Sequence, residues 1–170
     1  MKMIKLIVMD VDGTLTDGGI YYFESGSEIK KFNSKDAAGI LTCQAIGIDC
    51  MILTGGKEKA VERRAEDLHI KYVYQGITDK MAFLLDFLKE HKMELQDVFY
   101  IGDDLNDIKC MNIVGISGCP ADASPEILLR ADYIASHNGG HGAVRDVLFS
   151  YLKDNNLYDD AVSKVYDGIF

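Results

Sequence analysis

Proline is scarce, with two residues in 170, and no Ser/Gly-rich or Gln-rich run breaks the chain. Those two absences argue against a disordered segment. Long apolar runs are also missing. No stretch nears the roughly 20 residues needed to cross a bilayer. The first apolar run is too short for a secretion signal and is broken by Lys5 and Asp10. The expected location is therefore the cytoplasm, with no membrane partner. Positive charge is in deficit: 18 Lys and Arg stand against 27 Asp and Glu, for a net charge of −9. That balance excludes the clustered basic surface of a nucleic-acid binder. It still allows a small anionic substrate, because a bound metal ion can reverse the local sign. The four cysteines form no CxxC pair and have no histidine at metal spacing. They read as small core residues rather than disulfides or ligands.

Apolar residues make up 48% of the chain, enough for one domain spanning residues 1–170 to bury a core. No internal repeat or linker-like shift divides it. Short β-branched runs alternate with amphipathic stretches. Strands are expected at Ile4–Met9, Cys50–Leu53, Tyr72–Tyr74, Val98–Ile101, Val114–Ser117 and Tyr133–Ala135. Helices are expected at Ser34–Gly47, Lys57–Leu68, Asp79–His91, Asn106–Asn112, Ser124–Arg130 and Gly142–Lys153. Asp17–Lys31 reads as a β-hairpin with its turn near Glu24–Ser27. The alternation predicts an α/β fold: a Rossmann-like, doubly wound, mainly parallel sheet with helices on both faces and a protruding hairpin.

Ligands of such sheets bind beyond the carboxyl ends of the strands. The residues placed there are Asp10 and Asp12, Thr54, and Asp103 and Asp104, with Lys80 after the Tyr72–Tyr74 strand and its loop. Acids gathered at one sheet edge repel one another unless a cation neutralises them. Magnesium suits such a set, with carboxylates from Asp10 and Asp103 and a backbone oxygen from Asp12. Asp10 can then attack phosphorus as a nucleophile. Asp12, two residues on, can protonate the leaving group and later activate water. Thr54 and the amides of Gly55 and Gly56 can hold phosphate oxygens. Lys80 can pair with the same phosphate and with Asp10.

Asp10-Val11-Asp12-Gly13-Thr14, Leu53-Thr54-Gly55, Lys80 and Gly102-Asp103-Asp104-Leu105-Asn106-Asp107 resemble, in order, the four motifs of the haloacid dehalogenase superfamily phosphatases. The resemblance implies an aspartyl-phosphate mechanism with Mg2+, in which Asp104 and Asp107 orient the metal site from behind. The gaps from Thr14 to Leu53 and from Gly55 to Lys80 leave no room for the cap domain that many relatives insert.

This compact plan is similar to the phosphatases of 3-deoxy-2-ulosonic acid phosphates. Further matching stretches are Thr16-Asp17-Gly18, Lys31-Phe32-Asn33, Asp36-Ala37-Ala38-Gly39-Ile40, Tyr74-Gln75-Gly76 and Gly139-Gly140-His141-Gly142-Ala143-Val144-Arg145. That resemblance implies a homotetramer built on the hairpin, with a neighbouring subunit covering the site. It also implies substrate contacts near Gly56, Arg64 and Asp67. The Gly139-Gly140-His141-Gly142 loop reads either as reaching the site, with His141 near the substrate, or as a turn before the Ala143 helix. The expected substrate is 3-deoxy-D-manno-octulosonate 8-phosphate, a precursor for lipopolysaccharide, and the alternative is a nonulosonate (sialic-type) 9-phosphate. Gly56 fits neither branch: the first tends to carry Arg there, and one nonulosonate branch Glu. Asp67 also departs from the Lys of that nonulosonate branch. A rival reading makes the chain a non-catalytic oligomerisation module associated with a sugar nucleotidyltransferase. The intact set Asp10, Asp12, Lys80 and Asp103 argues against it, because a scaffold gains nothing by keeping acids together.

Overall fold

The computed structural model describes residues 4–24 and 28–166. Six short apolar runs form one sheet: β1 (Leu6–Met9), β4 (Asp49–Leu53), β5 (Tyr72–Tyr74), β6 (Val98–Ile101), β7 (Ile116–Cys119) and β8 (Tyr133–Ile134). Their order across the sheet is β5-β4-β1-β6-β7-β8, and every adjacent pair is parallel. β1, β4 and β6 contain almost only apolar residues and are nearly wholly buried, as strands covered on both faces must be.

The alternation of side chains along these strands divides the core in two. Ile7, Met9, Cys50, Ile52, Phe99 and Ile101 face α1 (Ser34–Ala45), α2 (Lys59–Asp67), α6 (Ala143–Asp154) and α7 (Tyr158–Val165). Leu6, Val8, Met51, Leu53, Val98 and Tyr100 face α3 (Lys80–Glu90), α4 (Ile108–Met111) and α5 (Pro125–Leu128). All four cysteines are buried and free.

The hairpin pairs β2 (Tyr21–Tyr22) with β3 (Glu28–Ile29), and the Thr16–Phe32 bridge closes its base. Of its expected turn near Glu24–Ser27, residues 25–27 lie outside the described residues. Ile20, Tyr21, Tyr22 and Phe23 are exposed, Tyr22 by 69%. Only the hairpin and α1 separate β1 from β4, and only α2 and β5 separate β4 from α3. No cap domain is inserted.

Several element ends shift by one or two residues, as at β1, which begins at Leu6 and not Ile4. β7 begins two residues later than expected and runs on to Cys119, because Gly118 pairs with Ile101 and extends the strand through a residue that reads as a turn. α4 is confined to Ile108–Met111, since Asp107 turns its side chain inward instead of starting a solvated helix. α7 was not anticipated; its first turn carries Asp159 and Asp160, which mask the buried pair Ala161 and Val162.

Candidate active site

β1 is hydrogen-bonded between β4 and β6, with Met9 level with Ile52 and Ile101. The residues that follow these strands therefore emerge side by side. Chain order also reverses here, since the sheet grows outward from β1 first through β4 and then through β6. A crevice at such a switch point is where parallel sheets bind ligands.

Asp10 is fixed by its own amide, which donates to the Ile101 carbonyl at 2.9 Å. Its Oδ1 lies 2.8 Å from Lys80 Nζ. Lys80 opens α3 and reaches under the site, where it also donates to Asp107 Oδ1 at 2.7 Å. Tyr100 donates its hydroxyl to the same Asp107 oxygen, and the Asp103 amide donates to Asp107 Oδ2. Thr14 donates to Asp103 Oδ1 at 2.9 Å. Gly13 lies at φ +86, and a Cβ there would collide with the Asp103 carboxylate. The glycine thus supplies both the turn and the space for the second acid.

Carboxylate oxygens of Asp10, Asp103 and Asp107 lie within 4.8 Å of one another. Burial pushes the Asp10 carboxyl up to about 6, Asp107 adds to the rise, and Lys80 opposes it. Asp103 is pushed up to about 7 by burial and then by the Asp10 charge, against the Thr14 hydrogen bond. Burial works against the Lys80 ammonium, but Asp10 and Asp107 outweigh it and hold its pKa above the ordinary value. One lysine thus faces three acids. A hard divalent cation is the partner that suits this oxygen set.

Thr54 and Gly55 follow β4, held by the Thr54 amide on the Tyr74 carbonyl, and the Thr54 hydroxyl accepts from the Gly56 amide at 3.3 Å. Together with Asp10, Asp12 and Asp103 they surround an open cavity of about 390 Å³. Asp12 stands on its wall with a side chain 42% exposed, paired through Oδ1 with Lys30 from the end of the hairpin.

Other expected residues divide differently. Asp107 is buried behind Asp103 and holds Lys80. Asp104 is exposed on the cavity rim, with its Oδ1 capping the Leu105 amide. Gly56 lines the cavity. Arg64 does not: it donates to the Asn33 carbonyl at 2.9 Å, because the face of α2 that carries it packs on the start of α1. Asp67 pairs with Arg63 in solvent. His141 lines a separate hollow with Lys35 and Arg145, and its ring Nδ1 is 2.8 Å from the Gly139 carbonyl. The glycines before it explain this placement. A Cβ at Gly139 or Gly140 would strike the backbone of Gly13, Thr16 or Asp17, so the loop packs behind the motif turn and not over the cavity.

Residues 72–148 match the haloacid dehalogenase-like hydrolases. A 3-deoxy-D-manno-octulosonate 8-phosphate phosphatase, KdsC, from Escherichia coli is 41% identical over 158 residues, covering 93% of this chain and 84% of the relative. The chain belongs to the haloacid dehalogenase-like phosphatases. A solved relative from Moraxella catarrhalis, a 3-deoxy-D-manno-octulosonate 8-phosphate phosphatase in complex with magnesium, phosphate and KDO, superposes with a TM-score of 0.90 at 38% identity. It covers 95% of this chain and 93% of that one. A probable YrbI-family phosphatase from Pseudomonas syringae pv. phaseolica gives 0.92 at 40% identity, covering 98% and 95%.

In this haloacid dehalogenase-like phosphatase, sequence reasoning missed two residues linked to Asp12 at the cavity wall. Lys30 is hidden in a hairpin whose neighbours Lys31 and Glu28 read as ordinary solvated charge. Glu58, beside Lys30 at 3.6 Å, reads as a helix-start acid. The one available signal was the lack of a side chain at Gly56, the space into which the Glu58 carboxylate folds.

Proposed function

We propose that the chain hydrolyses the phosphate ester of a 3-deoxy-2-ulosonic acid, with 3-deoxy-D-manno-octulosonate 8-phosphate the first candidate. The observation that carries this reading is the Asp10 carboxylate at the cavity floor, flanked by Asp103 and tied to Lys80. Its support for this substrate is the likeness to the octulosonate phosphatases. Gly56, without the arginine expected of that branch, keeps a nonulosonate 9-phosphate as the second candidate.

Asp10 and Asp103, with the Asp12 backbone oxygen, would hold Mg2+. When bound, the ion neutralises charge on the phosphate and between the acids. Asp10 attacks phosphorus, and the bond to the leaving oxygen breaks. Asp12 gives that oxygen its proton. Asp12 then takes a proton from water as the water oxygen attacks the aspartyl-phosphate, which returns free Asp10 and inorganic phosphate. Thr54 and the Gly55 and Gly56 amides bind the phosphate oxygens through this exchange. Lys80, held by Asp107, keeps Asp10 ionised and aimed. The hairpin aromatics fit a homotetramer in which a neighbouring copy covers the open cavity, and the expected setting is the cytoplasm.

A steady-state screen of sugar-acid phosphates against hexose phosphates tests the substrate. One ulosonate phosphate is expected to exceed the hexose phosphates in kcat/KM by at least about tenfold; parity across the set would end this reading. Asp10→Asn is expected to lower turnover of every substrate to background, and retained turnover would remove Asp10 as nucleophile.

A further inference from the structure

Lys30 ends the hairpin, a surface element, yet its side chain is only 6% exposed. Its ammonium sits between the Asp12 carboxylate and the Glu58 carboxylate, 3.6 Å from Glu58 Oε2. Glu58 Oε2 is itself buried and accepts no hydrogen bond among the described residues. Glu58 is anchored through its amide, which donates to Gln75 Oε1 at 2.8 Å. Its carboxylate occupies the space beside Gly56, where a Cβ would stand 2.8 Å from Oε1. Among the described residues Lys30 is the donor to Asp12, and it bonds Oδ1. Asp12 itself lines the cavity.

A half-exposed aspartate beyond a strand end can turn through several rotamers. A proton donor must stand within hydrogen-bond reach of the leaving oxygen, and small misplacements are costly. A buried lysine facing two acids is held far more firmly than a surface ion pair.

We propose that Lys30 is a positioning residue: braced by Glu58, it fixes the Asp12 carboxylate so that Oδ2 meets the leaving oxygen of the phosphate ester. This rests on the reading of Asp12 as acid and base given above. It also gives the bare Gly56 a role, since a side chain there would displace Glu58 and free Lys30.

Proton donation matters most for poor leaving groups, which identifies the test. Purified full-length chain with Mg2+ is assayed on a leaving-group series, from 4-nitrophenyl phosphate through phenyl phosphate to a simple alkyl phosphate. Lys30→Met is expected to lower kcat on the alkyl ester about 10–100-fold, within the range that general acids supply. On 4-nitrophenyl phosphate it is expected to lose only about threefold, with KM changed less than about twofold throughout. Lys30→Arg should recover much of the loss, and ethylammonium should partly rescue Lys30→Ala. Glu58→Gln, which keeps the lysine and is the safer variant for folding, should shift the series the same way by a smaller factor. Equal losses on all esters with Lys30→Met, or a loss carried by KM, would overturn the proposal. Asp12→Asn separates the two levels: a steep series there with a flat one in Lys30→Met refutes the Lys30 role alone, whereas a flat series in Asp12→Asn refutes the Asp12 assignment beneath it.

Discussion

Asp36 is 1% exposed at the first turn of α1 and accepts from the Arg145 amide at 3.0 Å, so it caps α6 from a neighbouring helix. Burial pushes its carboxyl up to about 6; the α6 amides and Arg64 oppose the rise, and Asp146 reinforces it. The unfolded chain ionises this group near 3.8. Between those values the folded protein holds a proton that the unfolded one has released. The contribution is full below about pH 4 and is lost as pH rises through 6, for about 3 kcal/mol at most. Asp36→Asn keeps an acceptor for Arg145 but cannot ionise. We expect it to gain on the order of 1–2 kcal/mol relative to wild type between pH 4 and pH 8 in urea titrations. An offset that is the same at both pH values would refute the assignment. Asp107 shows the opposite arrangement, a buried acid supplied with Lys80, Tyr100 and the Asp103 amide.

The hairpin is the least self-sufficient element. Two paired residues on each strand cannot hold a ribbon in water, and Ile20, Tyr21, Tyr22, Phe23 and Ile29 are exposed apolar residues on it. We expect light scattering to give four chain masses, and Tyr22→Lys to lower that number while leaving the six-stranded core folded. A monomeric wild type would refute the assembly. The strands that frame the site were legible in the sequence because each is a short apolar run that stops at an acid or Thr-Gly, and burial on both faces permits little else. Lys80 was legible through motif order, although Asp79-Lys80 alone is an ordinary helix start. What could not be read was direction. Arg64 lies on the motif-two helix yet turns to the Asn33 carbonyl, and His141 sits behind the motif turn because of the glycines before it. α7 was hidden because its apolar positions are few and lie among acids.

At the scale of the whole molecule, Asp10, Asp103 and Asp107 converge where the sheet changes direction. Asp10 and Asp103, raised to about 6 and about 7, cost the folded state most when both are ionised. Their stabilising protons are bound at low pH and lost as pH rises through those values. Mg2+ is expected to restore that loss. At 100 times its Kd, a ligand adds about 2.7 kcal/mol, which for a chain of this length raises Tm by on the order of 5–10 °C. We expect a shift of that size at pH 8 and less than half of it at pH 5, where protons occupy the same oxygens. A larger shift at pH 5, or none at pH 8, would contradict the proposed ligand set. Among the described residues no helix is long and apolar enough to cross a membrane.

β3 carries Ile29 exposed to solvent, and Lys30, the residue after it, makes the Asp12 contact. On the two proposals above, deleting the hairpin would remove a group from the reaction as well as a surface from the assembly. Such a variant would be slow for two reasons that its rate could not separate. Engineering of this scaffold has to treat residues 20–29 and residue 30 as different parts: the first carries the surface proposed for assembly, the second is kept with Glu58 and Gly56 as one unit.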